Sequence, residues 1–173
     1  GAFPGSPVMN AAMCAFSVYD IENARAVGYD VVSNRPKAVA YRAPGSPIAA
    51  FAVESVVDEL ARRIGMDPLA MRLKNAVKTG SPTIWGPKHG FDGFIETIEA
   101  LMAHPAYKTP LGKNQGRGVA SGFWFNGGGE SAVTVHISED GSIAIASGSM
   151  DVGGSRASMA LMAAETLGVP YES

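Results

Sequence analysis

A chain of 173 residues, 46% hydrophobic and 17% charged, can bury an ordinary core, which excludes a disordered segment and sets the scale at one domain or two small ones. Its 14 basic and 16 acidic residues are interspersed and sum to a formal charge of -2, leaving no electrostatic footprint for nucleic acid or an anionic membrane. A single cysteine, Cys14, rules out an internal disulfide, a structural zinc site and an iron–sulfur cluster held by this chain.

Glycine and proline gather in punctuating stretches at residues 1–7, 43–47 and 127–129, which read as loops. Cys14, in the apolar run of residues 12–16, reads as a small buried hydrophobe. From Phe51, the positions Val53, Val56, Val57, Leu60, Ala61 and Ile64 recur at helical spacing. Glu54, Asp58, Glu59, Arg62 and Arg63 take the opposite face, and Gly65 supplies the stop. Asp67 followed by Pro68 predicts the cap and first turn of a second helix, with Leu69 and Leu73 inward and Arg72 and Lys74 outward, so that residues 50–78 form two helices meeting at a corner. A third helix is expected over residues 93–103, capped by Asp92, with Ile95, Ile98, Leu101 and Met102 on its buried side.

After the polar stretch 109–115 the apolar period changes from 3.6 to 2, which divides the chain into residues 1–113 and 114–173. Val133, Val135 and Ile137, the turn at Glu139, Asp140 and Gly141, and Ile143 with Ile145 predict an antiparallel hairpin over residues 132–147. Ser155 is expected to cap a helix over residues 156–167 with an apolar stripe of Met159, Met162, Ala163 and Leu167, ended by Gly168 and Pro170. The fold class is α+β, with helices packed on antiparallel or mixed strands and the hairpin at the centre. No apolar run approaches the roughly 20 residues of a membrane span, and no leader signature opens the chain. Cytoplasmic placement is the expectation, a periplasmic one staying open because any leader would stand ahead of this segment.

Three places could carry chemistry. Residues 148–158 pass from a strand through adjacent glycines into a helix start, where unpaired amides and the helix dipole favour an anion. The alternative is a glycine turn that happens to precede a helix. No P-loop lysine and no G-x-G-x-x-G pattern accompanies it. Arg42 sits on a proline-stiffened loop, able to aim a guanidinium at phosphate or simply to form a surface ion pair. Phe123, Trp124 and Phe125 could stack on a planar ligand or fill a core. His89, His104 and His136 stand in no metal-ligand spacing, and Glu130 is the one acid beside a candidate site.

Taken in order, three stretches resemble the large subunit of the molybdenum hydroxylases of the xanthine dehydrogenase/aldehyde oxidase/carbon monoxide dehydrogenase family. They are residues 19–25 leading to the Ala40-to-Gly45 motif AYRAPG; the helix from Phe51 to Ala61 with Gly65, Met66, Asp67, Pro68 and Leu69; and Asp140, Gly141 and Ser142 leading to the GSMDVGG motif of residues 148–154 with the AAETLG motif of residues 163–168. The resemblance covers nearly the whole chain and implies an internal fragment carrying parts of two molybdopterin-binding subdomains.

It also implies a molybdenum–pyranopterin cofactor contacted by Arg42, Ala43, Gly153, Gly154, Ser155, Arg156, Ala157 and Ser158. Phe123, Asn10 and Pro44 fall at the substrate pocket. Gly154 stands where many relatives have a glutamine. Asn10 replaces a substrate-binding arginine and Pro44 a second stacking aromatic, which disfavours xanthine. Ala43 and Pro44 stand where carbon monoxide dehydrogenases need a cysteine, which disfavours carbon monoxide. The glutamate base lies beyond this chain, so no catalytic residue and no metal-ligating residue is expected in it. The implied activity is oxidation of an aromatic heterocycle or aldehyde with water as the oxygen source, electrons passing to iron–sulfur and FAD partners on other segments or subunits. A non-catalytic module of the same fold, and an aryl-CoA reductase-type relative, are the competing readings.

Overall fold

The computed structural model describes residues 6–36, 41–90, 93–125 and 129–172. The chain divides into two compact units, Gly1–Phe125 and Asn126–Ser173.

The first unit is helical. Helix α1 spans Ser6–Cys14, α2 Ser46–Arg63, α3 Pro68–Lys74, α4 Phe94–Ala103 and α5 Pro105–Lys108. Helix α2 ends as its sequence requires: Gly65 takes φ 66, and the amides of Gly65 and Met66 donate back to the carbonyls of Arg62 and Ala61. Asp67 caps α3, accepting from the amides of Leu69 and Ala70, both at 2.9 Å. Gly93 stands at the cap position of α4; the expected cap, Asp92, lies outside the described residues. Leu69, Ala76 and Ile98 form the buried core, with Leu73, Phe94, Ile95, Met102, Tyr107 and Val119 packed around them. Strand-like pairing in this unit is limited, among the described residues, to isolated bridges between Tyr19 and Ala76 and between Pro82 and Lys88.

Several expectations are corrected here. Helix α1 occupies a stretch read partly as loop. Leu101 is exposed on α4. Arg72, expected outward, is completely buried, because Glu54 on α2 faces it: Nε donates to Glu54 Oε2 at 2.8 Å, and Nη2 pairs with Asp58 at 2.8 Å. The buried side of α2 therefore carries Glu54 and Ala61, while Val56, Leu60 and Ile64 are exposed. Val56 and Leu60 edge an open apolar groove of about 450 Å³, lined also by Phe16, Tyr19 and Met71.

The second unit holds the hairpin β1 (Val133–Ile137) and β2 (Ile143–Ser147), in register Val135 to Ile145, followed by α6 (Ser155–Leu167). Gly141 takes φ 85 in the turn and donates to Ser138 O. Ile143 and Ile145 share a cavity with Met159 and Ala160 of α6. Ala164 is the buried position of α6, and Met162 and Leu167, expected inward, are exposed. The fold is thus mostly helical with one small antiparallel hairpin. Helices of the first unit pack on each other, and the hairpin belongs to the second unit.

Candidate cofactor and substrate site

Residues 42–45 turn the chain into α2. Ala43 holds φ 53 and Gly45 φ 85, both left-handed, and Ser46 N closes the turn on Ala43 O at 3.0 Å. Gly45 is required twice over: a Cβ there would lie 2.1 Å from Pro7 O and 2.8 Å from Ala11 N, so α1 reaches this turn only because no side chain intervenes. Arg42 stands exposed at the head of the turn, and Pro44 is half-buried within it. The side chain of Asn10, on α1, is buried.

Ser46, first residue of α2, draws further elements in. Its hydroxyl donates to Phe123 O at 2.6 Å and reaches the thiol of Cys14, which burial pushes up in pKa and the Ser46 contact lowers in part. The structure therefore brings together, in one unit, α1 with Asn10, the turn with Arg42, Ala43 and Pro44, and the segment carrying Phe123. The Phe123 ring is flanked by Trp85 at 5.6 Å and His89 at 5.8 Å, the latter edge-on at 83°. The sequence pattern gives Trp85 no role and places His89 in no metal-ligand spacing; the aromatic contacts that join them to Phe123 are long-range. Trp124 and Phe125 instead stack on each other at 4.5 Å.

Behind this segment lies a buried polar network. Glu54 accepts from the Tyr19 hydroxyl, from Arg72 Nε, and from Ser121 N at 2.6 Å. Arg72 also donates to Pro68 O at 2.9 Å and Val119 O at 3.0 Å. Burial, and next the Glu54 carboxylate, hold the Tyr19 phenol well above the usual tyrosine range, so Tyr19 remains a neutral donor.

The second unit contributes the glycine loop. Gly153 and Gly154 are consecutive left-handed residues, φ 74 and 93, and a Cβ on Gly154 would meet nothing within 4 Å. Ser155 is the first helical residue rather than the cap. Asp151 does the capping: its Oδ1 accepts from Gly154 N at 2.9 Å and Ser155 N at 3.0 Å, while Ser155 Oγ accepts from Val152 N. Against desolvation, which raises it, the amides of Gly154, Ser155 and Arg156 and the Ser155 hydroxyl hold the Asp151 carboxyl below the usual range. The amides expected to await an anion are thus engaged by a carboxylate. Gly153 and Gly154 are exposed, as are Arg156, Ala157 and Ser158 beside them. Gly154 at φ 93 is also a conformation that a glutamine adopts only with strain.

Glu130 is exposed, His136 lies exposed on β1, and His104 Nδ1 accepts from Ala106 N at the start of α5. Among the described residues no group of three or more His, Cys, Asp or Glu could hold a metal ion, and no helix is long and apolar enough to cross a membrane.

Two glycine-shaped turns thus lead into helices, one of them headed by the exposed Arg42. Comparison with known proteins identifies the class: residues 1–76 match one family model described as a molybdopterin cofactor-binding domain, and residues 98–173 match a second with the same description. The chain is similar to the aldehyde oxidoreductase of Megalodesulfovibrio gigas, 35% identical over 103 residues, 60% of this chain and 11% of the relative. It is similar also to the nicotine 6-hydroxylase large subunit of Paenarthrobacter nicotinovorans, 29% identical over 94% of this chain and 23% of the relative. A putative xanthine dehydrogenase molybdenum-binding subunit of Escherichia coli is 31% identical over 80% of this chain and 20% of its own length. Among solved structures, the aldehyde oxidoreductase of Desulfovibrio desulfuricans superposes with a TM-score of 0.72 at 27% identity, covering 99% of this chain and 20% of that one. The chain belongs to the molybdopterin-binding domains of the xanthine dehydrogenase/aldehyde oxidoreductase family and spans about a fifth of the length of most of these relatives.

Proposed function

We propose that this chain forms part of a molybdenum hydroxylase that oxidises an aromatic heterocycle or an aldehyde, with water as the oxygen source and electrons leaving to iron–sulfur and FAD partners. The observation that carries the reading is the meeting, around Gly45 and Ser46, of the Arg42 turn with the half-buried Phe123 and Trp85 and the buried His89, inside a chain matched along two stretches by molybdopterin-binding domains. In the first unit, Arg42 and Ala43 would contact the pyranopterin; in the second, Gly153, Gly154, Arg156 and Ser158 would. The bound cofactor supplies two-electron redox chemistry at an electron-poor carbon. This chain's own residues bind and orient: the arginine supplies fixed positive charge to an anionic group, and the aromatic face favours a planar ring and keeps water from it.

The test is turnover by the cofactor-loaded protein of N-heteroaromatics and aldehydes in water enriched in oxygen-18. The reading expects one labelled oxygen in each hydroxylated heteroaromatic, and at least one in each carboxylate, whose aldehyde precursor also exchanges its carbonyl oxygen with water. A hydroxylated product whose new oxygen is unlabelled, or no product with either substrate class, would overturn it.

A further inference from the structure

We infer that Ser46 and Trp85 are the positioning residues that set the Phe123 ring relative to the Arg42 turn. This rests on the proposal that Phe123 faces a planar substrate.

Phe123 is anchored at two independent points. Its carbonyl accepts the Ser46 hydroxyl at 2.6 Å, and Ser46 directly follows Gly45, the close-packed glycine of the Arg42 turn. One hydrogen bond therefore couples the aromatic segment to the turn, across 77 residues of sequence. The ring itself rests on Trp85, with centroids 5.6 Å apart and planes inclined at 43°.

Trp85 is in turn held in place. It sits in a tight turn closed by Thr83 N to Pro87 O at 2.8 Å and Gly86 N to Thr83 O at 3.2 Å, and fixed below by Gly80 N to His89 O at 2.7 Å and His89 N to Ser81 O at 3.0 Å. Neither Phe123 nor Trp85 belongs to the buried cluster of Leu69, Ala76 and Ile98, and both are only half-buried. An aromatic pair held rigidly at the surface, away from the core, is placed as a wall for a ligand rather than as filling. Loosening either anchor tilts that wall, which a planar ligand registers and a small aliphatic one does not.

The test measures equilibrium Kd for benzamide and propanamide, unreactive counterparts of an aromatic and an aliphatic aldehyde. The proteins are the cofactor-loaded wild type, S46A, S46T, W85L and F123A, with molybdenum content determined on each. Wild type is expected to prefer benzamide and F123A to lose that preference. S46A should weaken benzamide about fivefold, the effect of one ordinary hydrogen bond, with propanamide unchanged. W85L should act in the same direction, and S46T, which keeps the hydroxyl, should restore the wild-type ratio. A benzamide-to-propanamide ratio unchanged in both S46A and W85L, with F123A losing the preference, overturns the positioning role alone. A wild type without preference, or an F123A that keeps it, overturns the substrate reading of Phe123 and this inference together.

Discussion

Ala43 holds φ 53 immediately before Pro44, a conformation that a residue with a Cβ adopts at a cost of about 1–2 kcal/mol. The strain sits in the turn headed by Arg42, the residue proposed to meet the cofactor. Glycine accepts that φ freely but loses more chain entropy on folding, so Ala43→Gly should raise stability by ~0.5–1 kcal/mol. A higher denaturant midpoint at unchanged slope would show it. Asp67 is a second residue whose role is local. Desolvation raises its pKa, but the Tyr107 hydroxyl and the amides of Ala70 and Leu69 outweigh this and hold it below the usual carboxylate range. A depressed folded-state pKa stabilises above the unfolded value, near 3.9, and that contribution fades as pH falls through the lower folded value. Asp67→Ala should therefore cost about 1 kcal/mol at neutral pH, with the gap to wild type narrowing below about pH 4 in urea titrations at several pH values.

Between elements, the joint is the contact of Glu54 on α2 with Arg72 on α3. Removing Glu54 leaves the buried Arg72 with only the partly exposed Asp58 as a counter-charge, so Glu54→Ala should destabilise by about 3 kcal/mol, whereas Glu54→Leu combined with Arg72→Met should cost less than the single change. Equal losses in the two proteins, measured by denaturant unfolding, would show that the pair is not the joint.

The same pair explains where sequence reading stopped. The stop of α2, the cap of α3 and the extents of α4, β1, β2 and α6 were legible because capping residues, glycine stops and apolar period are local properties. Helix α2, however, begins at Ser46, ahead of the expected residue 50, and α3 ends at Lys74, short of the expected 78. Arg72 read as outward because its partner lies 18 residues away on another helix. Without that partner, the stripe of Val56, Leu60 and Ile64 was the natural buried face of α2. Helix α1 was missed because its nine residues, with Pro7 near the start, form a short piece that lies against α2 through Gly45. Its one local signal was the Ser6, Pro7 start. In the second unit, the glycine loop was legible as backbone shape. Its occupation by Asp151 was not, because Ser155 offered an equally good cap from the pattern alone.

At the scale of the molecule, two matched molybdopterin-binding stretches flank residues 77–97, which include the turn of Trp85 and His89. Arg42 and Phe123 are far apart in sequence yet joined through Ser46, so the first unit assembles its candidate site from three separate segments. The resemblance in sequence pointed to Arg42 and Phe123 individually; the hydrogen bond from Ser46, at the end of the Arg42 turn, to Phe123 could be found only in three dimensions. The most direct measurement is the molybdenum and pterin content of the protein purified from a cofactor-competent host, beside Arg42→Ala. The account predicts near-stoichiometric molybdenum in the wild type and a clear loss, or faster release on dilution, in the variant. Metal-free wild-type protein, or an Arg42→Ala variant that retains cofactor as tightly as wild type, would contradict it.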